Sequence, residues 1–257
     1  FHLREGSKIL IAVFFFLLVA MHGRFDGAFM RRVMGVIAGI SALYALLSVE
    51  AVSTGITKLL LERLPAINTD NIAFNGARLY GIFGNSNIEA SVFAIGVLLS
   101  AALVCGAEKR WQRILFTVTL SVSAFAFLLV FSMGAIACFI AAVAVYLIFA
   151  GKGRSAALLR MLGAAVPTLV CGFIAFALFN SERSALVLAL LLANAGVSVL
   201  LELTVSARLS AVLERHERLA FGVLIAVVLG AGVYAVAAMN VTGPYTFGPE
   251  LYRSEQL

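Results

Sequence analysis

The sequence predicts an all-α fold, a polytopic transmembrane helical bundle of about eight spans. Its 257 residues are 62% hydrophobic and 12% charged, with a mean hydropathy of +1.05. A soluble domain has roughly 45–50% apolar and ~25% charged residues. A chain of this size cannot bury so much apolar surface in one water-facing globule, so lipid is the expected solvent. The apolar residues also fall into discrete runs, and the short loops between them carry the charge. The runs lack polar/apolar alternation, which excludes a transmembrane β-barrel.

A spanning helix needs ~20 predominantly apolar residues. Ile114–Gly151 holds 38 residues without a charge, which suits two spans with a tight helical hairpin at Ser132-Met133-Gly134. The other spans are expected near Ile9–Met21, Val33–Val52, Ile88–Ala107, Met161–Phe179, Ala185–Leu201 and Leu219–Met239. The first of these is the shortest. Residues 1–240 thus form one transmembrane domain. Residues 241–257, rich in turn formers and aromatics, read as the start of an outer, β-rich segment that is truncated here. The chain is expected to be a fragment cut at both ends.

Loop charges give the orientation. Arg24, Arg31, Arg32, Lys109, Arg110, Arg113, Lys152, Arg154, Arg160, Arg208, Arg215 and Arg218 lie in one set of loops. Arg4, Lys8, Lys58, Arg63, Arg78, Arg183 and Arg253 lie in the other, over more sequence. The first set is therefore cytoplasmic, and both chain ends and the long loop Ser53–Ser86 are outside. The net charge of +6 follows from this topology. No basic face interleaved with aromatics suggests nucleic acid. Cys105, Cys138 and Cys171 are an odd number inside apolar runs, which argues for packing roles over disulfides. No metal-ligand spacing of Cys and His occurs, and no metal or cofactor is expected. Val205–Glu217 mixes charged and apolar residues, as in a connecting helix along the inner interface.

The outer loop opens with Ile56–Leu64, whose apolar stripe beside Lys58, Glu62 and Arg63 suits a helix lying in the headgroup interface. Pro65 and Asn68–Asn71 end it. Then comes Arg78-Leu-Tyr-Gly81-Ile-Phe-Gly84-Asn85-Ser-Asn87, running into a span. Gly81 and Gly84 permit tight turns, and Asn85, Ser86 and Asn87 are helix-start residues. Glu89 falls in the first helical turn, where a carboxylate complements the macrodipole. By itself this segment reads as a re-entry loop with an N-cap, and Arg78 as an anchor at the headgroups.

The same residues resemble the Arg-x-x-Gly-x-Phe-x-Asn-x-Asn signature of the O-antigen ligase and polymerase family. About 50 residues later, Leu128–Ala135 with the span that follows resembles that family's Ser-Arg-Gly-Ala segment. The resemblance extends over roughly Val33–Phe179. It implies a polytopic protein of the bacterial cytoplasmic membrane that transfers or handles polyprenyl-diphosphate-linked glycan on the outer face. The acceptor would be a saccharide or a lipid, and the glycosyltransferase would need no metal. Arg78 would then stabilise the diphosphate leaving group, because a planar guanidinium suits phosphate oxygens bidentately. Gly81, Gly84, Asn85, Asn87 and Glu89 would shape or line the binding loop, with Arg183 as a further cation. The chain departs from the family's pattern in two places. Met133 stands where the family has arginine. Asn180–Ser184 replaces a large outer loop that carries a catalytic histidine and arginine. A non-catalytic relative, or a transporter of lipid-linked glycan, is the alternative.

No histidine is placed as an outer-face base: His22 and His216 fall inside, and His2 lies near the N-terminal end. Glu50 and Glu89 remain, each a base or a capping residue. Gly35 and Gly39 form a pair that suits close helix contact. Asn194, a polar side chain in mid-span, marks either a substrate path or an interhelical hydrogen bond.

Overall fold

A computed structural model describes residues 27–64, 69–75, 78–149, 154–180 and 183–206, with short runs at 208–210, 215–218, 221–223 and 225–226. Seven α-helices, a π-helical turn and one small β-hairpin account for most of them. The helices are α1 (Gly27–Ser53), α2 (Ile56–Leu61), α3 (Ser86–Cys105), α4 (Arg110–Val130), α5 (Met133–Phe149), α6 (Arg154–Asn180) and α7 (Ala185–Leu201). The strands are β1 (Ala73–Asn75) and β2 (Arg78–Tyr80), and Glu202–Ser206 continues α7 as the π-turn.

Among the described residues, five helices are long and apolar enough to cross a membrane: Gly27–Ser53, Ser86–Cys105, Arg110–Val130, Arg154–Phe179 and Ala185–Ser210. The chain is accordingly a helical, multi-pass membrane protein. Of the eight expected spans, five are found among the described residues. The span at Ile9–Met21, most of Leu219–Met239, the 241–257 segment and both chain ends lie outside the described residues. The second half of the expected hairpin, Gly134–Ile148, is an apolar helix shorter than the other five. The fold is mostly helical as expected, with one addition, the antiparallel β1–β2 pair in the loop at 69–85.

The helices outrun the apolar windows that announced them. α1, α4 and α6 each begin several residues earlier, at Gly27, Arg110 and Arg154. A hydropathy window stops at the first charges, whereas the backbone ladder continues through the headgroup layer.

The bundle is apolar outside, and its interior mixes small and hydroxyl-bearing residues with large apolar ones such as Phe93, Phe125 and Leu129. Phe173 and Ile148 are 68% and 71% exposed, as lipid-facing side chains are. α1 buries Ala38, Ser41, Ala42, Ala45, Ser48 and Val49, a small-residue stripe that lets backbones approach. α4 is central and packs against α1, α3, α6 and α7. Side-chain hydrogen bonds tie these helices together: Ser41 Oγ donates to the Val92 carbonyl at 2.9 Å, and Ser100 and Thr119 hydroxyls meet at 2.9 Å. Asn194 Nδ2 donates to the Ser121 carbonyl at 3.0 Å, and Thr168 Oγ1 donates to Asn194 Oδ1 at 3.2 Å. Asn194 therefore makes interhelical hydrogen bonds that join α7, α4 and α6.

The Gly35/Gly39 pair does not make a close helix contact. A Cβ at Gly35 would meet Phe116 only at ordinary distance, and one at Gly39 would meet nothing. Gly96 of α3 is a tight crossing, where a Cβ would overlap the Ser41 and Ser123 side chains, and Gly172 of α6 is another, against Leu128 of α4. The α4–α5 break is at Phe131–Ser132, one residue before the expected one. Phe131 makes it in a left-handed conformation, φ 45°. α5 then packs mainly against α3 and α6, so α4 and α5 do not close as a tight antiparallel hairpin.

Candidate functional site

The starts of α1 and α6, with Glu108 and Glu217, lie at one end of the bundle, where Arg31 pairs with Glu108 at 3.7 Å and Arg154 with Glu217 at 3.5 Å. The 69–87 segment, the α1–α2 junction, the α4–α5 break and the α6–α7 turn occupy the other end, called the outer end below after the expectation from the loop charges.

There the β-hairpin is docked by its apolar side chains. Leu79 is fully buried in the main core, and Phe74 stacks on Phe179 of α6 with ring centroids 4.0 Å apart. Successive side chains of a strand point to opposite faces. Burying Leu79 therefore turns Arg78 outward, and Arg78 is exposed at the last pair of the ladder, opposite Asn75. Arg183 is exposed four residues after Phe179. Its neighbour Ser184 donates to the Ser53 carbonyl at 3.1 Å, tying the start of α7 to the end of α1. Arg78 and Arg183 thus share one end of the bundle.

Glu89 organises the loop between hairpin and span. Its side chain is fully buried on the stripe of α3 that also holds Ser86, Ala90, Phe93, Gly96 and Ser100. The Gly81 N–H donates to Oε2 at 2.7 Å, and the Phe83 N–H donates to Oε1 at 3.1 Å. Tyr44 of α1 donates its hydroxyl proton to Oε1 at 3.2 Å, and its oxygen also accepts from the Phe83 N–H at 3.1 Å. The Tyr44 ring packs on Phe83 and Phe93, with centroids at 4.8 and 5.5 Å.

The glycines are needed here for space and for backbone angle. A Cβ at Gly81 would lie 2.6 Å from Ser48 Oγ and 2.9 Å from Glu89 Oε2. Gly84 has φ +62°, and a Cβ there would lie 2.9 Å from Asn71 Cβ. Asn85 caps α3 as its residue type predicts, with Oδ1 accepting from the Asn87 N–H at 3.0 Å and more weakly from the Ile88 N–H at 3.4 Å. Asn87 Oδ1 accepts from Ser132 Oγ at 2.8 Å. The two sequence motifs, 45 residues apart, therefore touch.

This geometry limits the chemistry. The N–H groups of Gly81, Phe83, Asn87 and Ile88 are used within the loop, and that of Gly84 donates to the Gly81 carbonyl at 3.0 Å. The segment therefore offers few backbone donors to a phosphate, and an anion would be met mainly by the side chains of Arg78 and Arg183. Neither acidic candidate for a base presents an unengaged carboxylate. Glu89 is buried as described. Glu50 caps α2, accepting from the Ile56 N–H at 2.9 Å, the Thr57 N–H at 2.7 Å and the Thr54 hydroxyl. His216 is exposed on the segment of Glu217, at the opposite end. Among the described residues, no three His, Cys, Asp or Glu side chains are grouped to hold a metal.

Sequence reading missed Tyr44 and Ser48. The signal was present, because both lie on the small-residue face of α1 near its outer end. Comparison of the chain with protein families, with curated proteins and with solved structures gives no match.

Proposed function

We propose that this membrane protein handles polyprenyl-diphosphate-linked saccharide at the outer face, as the resemblance to O-antigen ligases and polymerases implies. The observation that supports this reading is the architecture of residues 78–87. A buried carboxylate, a close-approach glycine and a capped helix hold a short loop whose hairpin presents an exposed arginine. In the ligase or polymerase form of the reading, Arg78 offsets charge growing on the diphosphate leaving group, and Arg183 adds a second cation. Asn85, Asn87, Gly81 and Gly84 fix the loop, and Glu89 positions it from beneath.

The second reading, a non-catalytic relative or a transporter of the same lipid-linked glycan, is favoured by one specific observation. Glu50 and Glu89 are both committed to backbone donors, so neither is free to deprotonate an acceptor hydroxyl.

The test is saccharide transfer from a polyprenyl-diphosphate donor by the protein in membranes, wild type against Arg78→Ala. Loss of an electrostatic contact to the leaving group is expected to slow transfer roughly 10²- to 10³-fold. Unchanged transfer with normal insertion refutes the role of Arg78. Carrier binding without transfer in the wild type selects the second reading.

A further inference from the structure

At the inner end, we infer that the groove between the start of α4 and the π-turn after α7 binds the phosphate headgroup of an anionic phospholipid from the cytoplasmic leaflet. The groove has a volume of about 280 Å³ and is lined by Glu108, Arg110, Arg113 and Leu203, close to the lower end of ligand-pocket sizes, roughly 300 Å³. Its charge balance is positive. Arg110 is exposed. Arg113 is half-buried, with its Nε enclosed and lacking a hydrogen-bond partner. Only its Nη2 reaches a carbonyl, that of Ala107, at a long 3.5 Å. Glu108 points to solvent, 82% exposed, with Arg31 3.7 Å away. Glu202, on the π-turn beside Leu203, is shared between Arg160, 3.3 Å away, and Arg113, both of which attract its carboxylate. Neither acid therefore cancels both Arg110 and Arg113.

The surroundings fit a lipid better than a soluble anion. Leu203 supplies an apolar wall at the end of a spanning helix, and Leu200, one turn deeper, is 60% exposed toward the acyl region. Trp111, adjacent to Arg110, is 58% exposed at the level where amphipathic rings line the membrane interface. Basic pockets between helix ends on the cytoplasmic side are where anionic headgroups are recognised. The inference uses the orientation given by the loop charges and does not depend on glycan transfer.

The test is native mass spectrometry of the full chain released from detergent, titrated with phosphatidylglycerol or phosphatidylcholine. Phosphatidylglycerol is expected to bind in preference. The double substitution Arg110→Ala/Arg113→Ala is expected to weaken it roughly ten- to thirtyfold, while Arg63→Ala, at the outer end, leaves it unchanged. Should the double variant fail to fold, Arg110→Ala alone changes an exposed side chain and is expected to cost about fivefold. Equal binding of the two lipids, or unchanged binding by the variants, overturns the inference. Full displacement by millimolar inorganic phosphate also overturns it, by assigning the groove to the free anion.

Discussion

Two glutamates are buried at opposite ends of this bundle, and they are held in different ways. Glu89, at the outer end, accepts from the N–H groups of a loop and from one phenol. Glu202, at the inner end, faces the Arg160 guanidinium, with Nε and Oε1 3.3 Å apart. That pair is close in distance but not aligned as a hydrogen bond, since both atoms lack a hydrogen-bond partner. Arg160 also donates from Nη1 to the Val104 carbonyl at 3.3 Å. The space around the pair, among Gly163, Ser198 and Ser206, is too small to admit water. A carboxylate held by backbone N–H groups dictates where a loop goes. One held by a guanidinium dictates which helices stay together. The outer arrangement shapes a surface, and the inner one locks α6 to the end of α7.

This contrast predicts its own failures. Glu202→Ala leaves the Arg160 guanidinium enclosed without its partner and is expected to destabilise by about 3–5 kcal/mol. The paired change Arg160→Met/Glu202→Leu is expected to recover most of that, as read by thermal unfolding in detergent. A paired variant as unstable as the single one would show that the charges do more than cancel. Glu89→Ala is expected to cost less, about 2–3 kcal/mol, because the Gly81 and Phe83 N–H groups and the Tyr44 hydroxyl lose an acceptor but no buried charge is left unpaired. Hydrogen exchange separates the two cases. Glu89→Ala should deprotect the N–H groups of Gly81 and Phe83 and leave α6 and α7 unchanged, whereas Glu202→Ala should do the reverse.

Smaller changes sharpen the outer half of the comparison. Gly81→Ala places a methyl against Ser48 and Glu89 and is expected to cost about 1–3 kcal/mol, with Ser48→Ala relieving part of it. Ser132→Ala removes the hydrogen bond to Asn87 and is expected to cost about 0.5–1.5 kcal/mol. Its checkable consequence is faster exchange at the α4–α5 break without change at Gly81. Arg78→Ala is expected to alter stability by less than about 0.5 kcal/mol, because the side chain is exposed and its strand is pinned by Leu79. A large loss of stability there would mean that Arg78 holds the hairpin rather than serving a ligand.

Much of this was legible in the order of residues. The runs that became α1, α3, α4, α6 and α7 are visible because lipid demands about twenty apolar residues whatever their neighbours. Asn85 was readable as a cap because its side chain satisfies N–H groups a few residues away. The β1–β2 pair was not readable. Two three-residue strands have too little alternation to register, and they are held by Phe179 and the main core, far off in sequence. The place of Glu89 was half legible. Its spacing to Phe93, Gly96 and Ser100 puts it on one face of α3, but only packing shows that face to be the inner one.

The sequence by itself determined that the chain lives in a membrane, where its helices run and which basic loops gather at one end. Those outcomes depend on local composition, which a bilayer reads directly. Tertiary structure alone decided that Glu89 supports a loop from beneath and that Asn87 meets Ser132. It also decided that Gly96 and Gly172, and not Gly35 or Gly39, sit at tight crossings, and that Arg113 lines an open groove while Arg160 is locked away. Each of these depends on which helix faces stand opposite one another. Inside a bilayer that choice rests on the fit of small side chains and single hydrogen bonds, and hydropathy does not distinguish one apolar face from another.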